Sequence, residues 1–305
     1  MDALVTGEPS AESTNSPLAA SGAQANGRRL AAGAGALGTH GSGADVGSLE
    51  RDVPLATKDV AVSVGARRLV SGLTVSFAPG EFVAVLGRNG CGKTLTLHTL
   101  AGLRKPDAGV VLLDGTAVDQ LDRRAVARRL GLLAQDLDDG FVTTATETVL
   151  IGRHPHLKFW QWESADDGEL ARKALAAMDL GDFAGRRTDT MSGGEQRRVA
   201  IAALLAQAPG VYLLDEPTNH LDPHHQLAVL ELFRELARNG STVIATLHDP
   251  TLAARFADSA LLLFGDGRWS MGAASEAIAA ESLSSLYLTP MIEVRQDGRR
   301  IFVPA

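Results

Sequence analysis

The stretch GRNGCGKT, residues 87–94, has the residue types and spacing of a loop that binds phosphate. Glycine tolerates positive φ and close approach, so such a chain can turn tightly and point its backbone N–H groups at an anion. Lys93 would reach the outer phosphates of a nucleotide, and the Thr94 hydroxyl would bind Mg²⁺. The flanking runs EFVAVL and LTLHTLAGL predict the strand and the helix that this motif requires. A glycine-rich turn with an incidental lysine is the alternative.

Two adjacent carboxylates, Asp215 and Glu216, end the apolar run VYLLDE. Acidic residues at the carboxyl end of a strand lie in the crevice where α/β sheets bind ligands. Asp215 is predicted to ligate Mg²⁺, through water. Glu216, on the other side of the pleat, is predicted to polarise an attacking water. Taken alone, a strand that happens to end in an acidic turn explains the pair equally well.

A second turn, MSGGEQRR at residues 191–198, opens a strongly helical run. Ser192 is predicted to cap this helix and Glu195 to complete a capping box. Because a helix N-terminus attracts anions, the turn suits phosphate, but a well-capped helix and nothing more fits the same residues. His248 in TLHD and Gln135 in LLAQD each follow an apolar run. Alone, each is an ordinary polar residue at the end of a strand.

Alternating strands and helices must position these residues. Short apolar runs favour strands buried on both faces of a mostly parallel sheet, namely EFVAVLG, GVVLLDG, VYLLDE, STVIATLHD and SALLLFG. Helical patterns lie between them, in LTLHTLAGL, ELARKALAAMDL, EQRRVAIAALLAQ and HHQLAVLELFRELARNG. The runs TKDVAVSV and LVSGLTVSF alternate as antiparallel strands do. The pattern therefore predicts an α/β fold with a P-loop core and an antiparallel β subdomain.

Composition divides the chain. Residues 1–53 are rich in Ala, Gly and Ser and contain no aromatic residue, so we expect this tail to be disordered. Residues 54–303 are predicted to form the folded domain. Within it, residues 136–190 contain no convincing strand and are predicted to be a helical insert. Residues 291–303 are predicted to form a hairpin around Asp297-Gly298.

Charge, cysteine content and hydropathy limit the setting. The 305-residue chain has a net charge of −7, which does not favour nucleic-acid binding. Its single cysteine, Cys91, excludes an internal disulfide and fits a reducing compartment. No apolar run approaches the ~20 residues of a spanning helix, and no signal-peptide pattern is present. We therefore expect a cytoplasmic chain that reaches a membrane only through another protein.

The motifs GRNGCGKT, Gln135, MSGGEQRR, VYLLDEPTNHLD and TLHD occur in the order and approximate spacing of the ATP-binding-cassette (ABC) ATPases. This resemblance covers about residues 55–303 and implies binding of ATP with Mg²⁺. It implies that the phosphates lie in a loop of Gly87, Arg88, Asn89, Gly90, Cys91, Gly92, Lys93 and Thr94. It implies a metal shell of Thr94, Gln135 and Asp215. It further implies catalysis by Glu216, His248 and Gln135.

The resemblance also implies partners. Ser192, Gly193 and Gly194 resemble the signature that closes over ATP bound to the other protomer, and Asp222 matches the aspartate of the interprotomer D-loop. Because the chain has one set of motifs, a homodimer with two composite sites is implied. The segments TETVLIGRHPHL and LHDPTLAARFAD resemble ATPases of bacterial iron–siderophore, haem and cobalamin importers. An integral-membrane permease, a periplasmic or surface substrate-binding protein and a location on the cytoplasmic face of the inner membrane are therefore expected.

Other interpretations stay open from the sequence. The alternatives are the ATPase of an exporter, or an ABC ATPase of nucleic-acid repair or translation. The exposed-looking segment LKFWQWE is as consistent with a small core of the insert as with a permease contact.

Two positions depart from expectation or invite a test. The family usually stacks adenine on an aromatic side chain near Val62–Arg68, but Val64 stands there, so base recognition should be weaker. Cys91 lies inside the phosphate loop beside Lys93, where we expect the pKa of the thiol to fall and alkylation to block nucleotide binding. The alternative is that any small residue fits at position 91.

Overall fold

The computed structural model of the protein describes residues 53–135, 143–158 and 160–305. The N-terminal tail predicted to be disordered lies outside these residues, apart from Val53. None of the helices in the described ranges is long and apolar enough to cross a bilayer.

Strands and helices alternate along the described chain. In chain order the strands are β1 (Leu55–Val64), β2 (Arg67–Leu73), β3 (Ser76–Phe77), β4 (Phe82–Leu86), β5 (Ala108–Leu113), β6 (Thr116–Ala117), β7 (Leu130–Leu133), β8 (Val211–Leu214), β9 (Thr242–Thr246), β10 (Ser259–Leu263), β11 (Trp269–Ala273), β12 (Met291–Gln296) and β13 (Arg299–Pro304). The α-helices are α1 (Lys93–Leu100), α2 (Arg123–Arg129), α3 (Ala145–Ile151), α4 (Ala165–Ala177), α5 (Gly193–Gln207), α6 (Pro223–Arg238), α7 (Pro250–Phe256), α8 (Ala274–Ala277) and α9 (Ala280–Tyr287).

A six-stranded sheet forms the centre of the fold, in the order β11-β10-β4-β9-β8-β7. The strands from β10 to β7 are parallel, and β11 joins β10 in antiparallel fashion. Every residue of β4, β8 and β9 is buried, because apolar side chains pack on both faces of these strands. Strands β4, β7, β8 and β9 therefore end at the same edge, where the loops with the predicted site residues begin.

A second, antiparallel sheet has the order β2-β1-β5-β6, with β3 paired to β1. The predicted antiparallel pair is confirmed as β1 and β2, whose turn joins Val64 to Arg67. The prediction for GVVLLDG is wrong, since this run forms β5 and pairs antiparallel with β1 instead of joining the parallel sheet. Val111 and Leu113 are buried, but Val110 and Leu112 are half-buried, so only one face of β5 packs fully against the core. Because all four residues are apolar, the sequence does not reveal this alternation in burial.

The predicted helices are present, and their ends have the expected chemistry. Ser192 caps α5, and Glu195 completes the capping box, as the sequence indicated. Helix α6 ends at Asn239-Gly240, where Gly240 has φ 99°, a left-handed conformation that glycine adopts without a Cβ penalty.

The described part of residues 136–190 contains α3, α4 and three short 3₁₀ helices, and no named strand. Thr144 and Ser164 start α3 and α4 with capping boxes of the same kind as Ser192. The ion pair between Arg153 Nε and Asp167 Oδ1, 2.8 Å long, connects the segment after α3 to α4. Hydrogen bonding from Arg153 lowers the pKa of Asp167 to about 2, so this carboxylate is charged at neutral pH. The division of the chain into domain and insert stays a prediction.

The C-terminal hairpin is formed by β12 and β13. Asp297 has φ 49° and Gly298 has φ 75°, the two positive values that a two-residue type I′ turn requires. Arg300 donates hydrogen bonds to the carbonyl oxygens of Ser275 and Ile278 and pairs with Glu293, which fastens the hairpin to the domain.

Candidate nucleotide site

Residues 87–92 lie between β4 and α1, as predicted, and Lys93 and Thr94 form the first turn of the helix. Gly90 and Gly92 have φ 72° and 103°, values that strain residues with a Cβ. Gly87 has no room for a side chain, because a Cβ there would lie 2.6 Å from the carbonyl oxygen of Leu263. The three glycines therefore allow a tight loop packed directly against β10.

Helix α1 begins with free anion-binding capacity. Its N-cap residue, Gly92, provides no side-chain cap, and its first turn contains no acidic residue. The first N–H groups of a helix without such a cap are available to an anion. Lys93 is buried and its Nζ donates to the carbonyl oxygen of Gly87 at 2.9 Å, folded back on the loop that it would help to neutralise.

The segments after β8 and β9 bring two predicted catalytic residues together. Glu216 Oε1 lies 2.5 Å from His248 Nε2, and Glu216 Oε2 accepts a hydrogen bond from Asn219 Nδ2. The expected pleat does not set the direction of Glu216, because β8 ends at Leu214 and Glu216 has φ 50°. A left-handed non-glycine residue at such a position is strained and is held by its surroundings.

Asp215 is fully buried beside this glutamate. Its Oδ1 accepts a hydrogen bond from Thr246 Oγ1 at 2.7 Å, while no protein group in the described chain partners its buried Oδ2. A buried carboxylate oxygen without a partner is costly unless a ligand satisfies it. Together with the Thr94 hydroxyl and the Gln135 amide, it offers the hard oxygen ligands that Mg²⁺ prefers. The residues predicted to form the metal shell therefore fit the ion.

Five predicted site residues line one pocket of about 530 Å³, namely Lys93, Thr94, Gln135, Glu216 and His248. The fully buried Asp215 is not among its lining residues. The walls of the pocket are formed by the loop of residues 87–94 with the start of α1, the turn between β1 and β2, and the segments after β7, β8 and β9. The lining residues are Val64, Arg67, Leu69, Asn89, Gly90, Gly92, Lys93, Thr94, Leu95, Gln135, Glu216 and His248. The volume is within the usual range for small-molecule sites. A phosphate loop, a carboxylate, an amide and a histidine on one pocket suit a nucleoside triphosphate and its hydrolysis.

Residues 70–219 match the family model for the ABC transporter. The chain is 39% identical over 232 residues to the ferric enterobactin transport ATP-binding protein FepC of Escherichia coli, with 75% of this chain and 85% of that protein covered. The chain belongs to the ABC transporter family. As a member of it, the domain binds ATP.

Other ABC relatives are similar over comparable lengths. The hemin import ATP-binding protein HmuV of Pseudomonas aeruginosa is 38% identical, with 80% of this chain and 96% of that protein covered. The cobalamin import ATP-binding protein BtuD of Halobacterium salinarum is 39% identical, with 68% of this chain and 52% of that protein covered.

Solved ABC structures share the fold. A transporter assigned to the metal-chelate type, in an inward-facing conformation, superposes with a TM-score of 0.72 at 27% identity, covering 83% of this chain and 98% of that chain. A dimeric bacterial ABC transporter cassette gives a TM-score of 0.62 at 29% identity, covering 71% and 97%. These matches confirm the predicted α/β P-loop architecture.

The ABC signature turn lies apart from the pocket of its own chain. Ser192, Gly193 and Gly194 are absent from the lining of that pocket. A Cβ on Gly194 would lie 2.8 Å from the carbonyl oxygen of His220, so glycine permits contact with the segment that follows Glu216. Asp222, predicted for the D-loop, caps α6 by accepting from the His225 N–H at 2.9 Å. The interprotomer roles of these four residues stay predictions.

The expected fall in the pKa of the Cys91 thiol is wrong, whereas the effect of alkylation on nucleotide binding stays a prediction. The thiol is buried, and burial raises its pKa despite the neighbouring Lys93, which acts in the opposite direction. The Cys91 side chain packs in the apolar core that also contains Leu263, instead of facing the pocket. A buried thiol of high pKa reacts slowly, so the alternative of a small residue that fits is favoured.

Val64 lines the pocket, as expected from its place where the family usually has an aromatic side chain, and is 55% exposed. Arg67 and Leu69, which the sequence did not single out, line the same wall. Arg67 Nη2 donates to the carbonyl oxygen of Gly265 at 3.0 Å, which holds its guanidinium beside the pocket. The sequence also left Asn219 and Thr246 without a role, although both stand in the quoted motifs VYLLDEPTNHLD and STVIATLHD.

Proposed function

We propose that this chain is the ATP-hydrolysing subunit of a bacterial importer for an iron–siderophore, haem or cobalamin. The observation that carries the hydrolytic activity is the convergence of Lys93, Thr94, Gln135, Glu216 and His248 on one pocket. Relatives named for ferric enterobactin, hemin and cobalamin uptake support the importer class. The same names weigh against an exporter and against nucleic-acid repair or translation.

In the proposed reaction, the chain positions ATP and the attacking water. The N–H groups of residues 87–94 and the N-terminus of α1 bind the phosphates, and Lys93 turns from the Gly87 carbonyl to the outer phosphates. Mg²⁺ held by Thr94, Gln135 and Asp215 would neutralise charge on the β- and γ-phosphates.

Glu216 and His248 act on the γ-phosphate side. Glu216 accepts a proton from the attacking water while the water oxygen bonds to the γ-phosphorus. At the same time the bond between the γ-phosphorus and the bridging oxygen breaks, and ADP leaves. His248 lies 2.5 Å from Glu216 Oε1, so it must give up this contact or share it when the water enters. Asn219 holds the other carboxylate oxygen of Glu216 and orients the base.

We propose a homodimer in which the signature residues Ser192, Gly193 and Gly194 complete the site of the partner. Their absence from the pocket of their own chain supports this arrangement. The solved dimeric cassette in the family supports it as well. Asp222 is then placed at the protomer contact. On the cytoplasmic face of the inner membrane, the dimer associates with a permease and, through it, with a periplasmic or surface substrate-binding protein.

The segment LKFWQWE is proposed to contact the permease. Trp160 and Trp162 are 89% and 87% exposed, which favours a contact surface over a small core of the insert. Together with Leu157 they border a second pocket, next to His154 and Lys158. Large exposed aromatic side chains of this kind are typical anchors of protein interfaces.

Glu216→Gln tests the proposed activity. Removing the general base should lower ATP turnover about 10²–10⁴-fold and leave ATP bound, holding the dimer closed. Steady-state ATPase assays and size-exclusion chromatography with ATP would measure both effects, and Glu276→Gln on α8, which does not line the pocket, serves as the control. Near-normal turnover of the Glu216 variant would mean that another group activates the water.

A further inference from the structure

Four hydrogen bonds of the buried Arg197 reach backbone carbonyl oxygens outside its own helix. This arginine stands on α5, five residues after Ser192, and is 2% exposed. Its Nη1 donates to the carbonyl oxygens of Ala134 and Gln135, the latter at 3.4 Å. Its Nη2 donates to the carbonyl oxygens of Asp215 and Glu216, the latter at 2.9 Å. One guanidinium therefore bridges two segments that carry site residues.

The two segments follow neighbouring strands. Strands β7 and β8 pair in parallel, with Leu133 opposite Leu214, and the bridged carbonyls lie just past these residues. A planar guanidinium presents several N–H donors in a fixed fork, so it can hold two chains at a set separation, which a single ammonium cannot do. Burying such a charge is expensive, which makes this a poor choice for packing alone.

One of the carbonyls that Arg197 holds belongs to Glu216, whose backbone conformation is strained. Glu216 has φ 50°, and its backbone is fixed on both sides of the residue. Its N–H donates to Thr246 Oγ1 at 2.8 Å, and its carbonyl oxygen accepts from Arg197. Strained conformations persist only where the surroundings enforce them, so these two bonds define where the carboxylate points.

We propose that Arg197 is a positioning residue: it holds Glu216 and Gln135 in place and connects them to the signature turn of the same chain. Because Ser192 and Arg197 lie within one and a half turns of a single helix, a movement of the turn moves the guanidinium with it. ATP bound to the partner would thereby influence the catalytic residues of this protomer. This inference rests on the proposed function, in which Glu216 is the base.

The experiment compares Arg197→Lys and Arg197→Gln with Arg300→Lys in the full chain. Arg300 is a matched control, because it also donates to several backbone carbonyls but lies on the C-terminal hairpin. We expect both Arg197 variants to lower kcat about 10²-fold, the usual effect of misplacing a catalytic group by about 1 Å. ATP affinity and ATP-dependent dimerisation should change less than about twofold, since neither requires the base.

A double variant separates positioning from general loss of structure. If Arg197 acts mainly through Glu216, adding Arg197→Lys to Glu216→Gln should lower the residual single-turnover rate by much less than about 10²-fold, the remaining loss coming through Gln135. A further loss of the full about 10²-fold there, equal kcat in the Arg197 and Arg300 variants, or unfolding of both Arg197 variants would overturn the inference. A wild-type chain without ATPase activity, or a fully active Glu216→Gln variant, would instead overturn the proposed function.

Discussion

Helices α1 and α5 both begin at glycine-containing turns, but their N-termini differ in what they leave open. At α1, Gly92 provides no side-chain cap and Lys93 adds a positive charge. At α5, Ser192 Oγ accepts from the Glu195 N–H, and Glu195 Oε2 accepts from the Ser192 N–H at 2.6 Å. The N-terminus of α1 therefore offers N–H groups without a side-chain cap and a cation, whereas two N–H groups at the start of α5 are already hydrogen-bonded within the capping box.

The two turns also differ in charge, since the first turn of α5 contains a carboxylate and that of α1 does not. Hydrogen bonds from Ser192 lower the pKa of Glu195, so α5 begins with a carboxylate that is ionised at neutral pH. A carboxylate at this end opposes a second anion, while α1 has no acidic residue in its first turn. Of the two turns, only the one at α1 combines an uncapped helix N-terminus with a lysine, the features expected where one chain binds phosphate alone. The α5 turn fits the proposed role of completing a site that another protomer has already neutralised.

Removing the cation of α1 should have the largest effect on nucleotide binding. Lys93→Ala is expected to weaken ATP binding to a single chain about 10–100-fold, because hydrogen bonds to charged groups contribute about 1.5–3 kcal/mol. Titration with a fluorescent ATP analogue would measure the change, with substitution of the exposed Lys173 of α4 by alanine as the control. Unchanged affinity in Lys93→Ala would remove the distinction between the two turns.

Removing the cap of α5 should separate stability from turnover. Ser192→Ala and Ser164→Ala delete equivalent capping boxes, and each should lower the free energy of unfolding by about 1 kcal/mol. Only Ser192→Ala should also lower ATPase activity, by about tenfold, because it removes one hydrogen bond to the charged phosphate of the ATP bound to the partner. Denaturant titrations and ATPase assays would be compared directly.

Two outcomes would contradict this difference. One is an equal ATPase rate in the Ser192 and Ser164 variants, which would make the signature serine a cap and nothing more. The other is a loss of ATP binding to the isolated Ser192 protomer, which would place the α5 turn in the site of its own chain.

The smallest expected change in ATP affinity comes from Val64, at the wall of the pocket where we expect the adenine base. Val64→Tyr should tighten ATP binding about fivefold, since stacking on a base is worth about 1–3 kcal/mol and Arg67 and Leu69 already line the wall. The same titration would measure it, and GTP would show whether the gain is specific for adenine. No change in affinity would count against the placement of Val64 beside the base.

Much of the site could be predicted from local pattern. The glycines of residues 87–94 required an unusual backbone and have it at Gly90 and Gly92. The capping box at Ser192 and the hairpin turn at Asp297-Gly298 likewise depend on neighbours within a few residues. Such features are visible in a sequence because the atoms that stabilise them are close along the chain.

The failures have a common cause. The GVVLLDG run was assigned to the wrong sheet, because an apolar run does not reveal which strand will pair with it. The pKa of Cys91 moved opposite to expectation, because burial among residues from distant elements outweighed the nearby lysine. Both depend on contacts between residues far apart in sequence.

Local sequence patterns were enough to identify the chemical groups of the site: a phosphate loop, two carboxylates after a buried strand, a capped signature helix and a histidine after another strand. The φ of 50° at Glu216, its contact with His248 and the reach of Arg197 from α5 to the segments after two neighbouring strands became visible only in the folded chain. The two groups of features differ in how far apart along the chain their stabilising residues lie. Caps and turns are stabilised locally, whereas a site at the edge of a parallel sheet is assembled by strand pairing and packing across many residues.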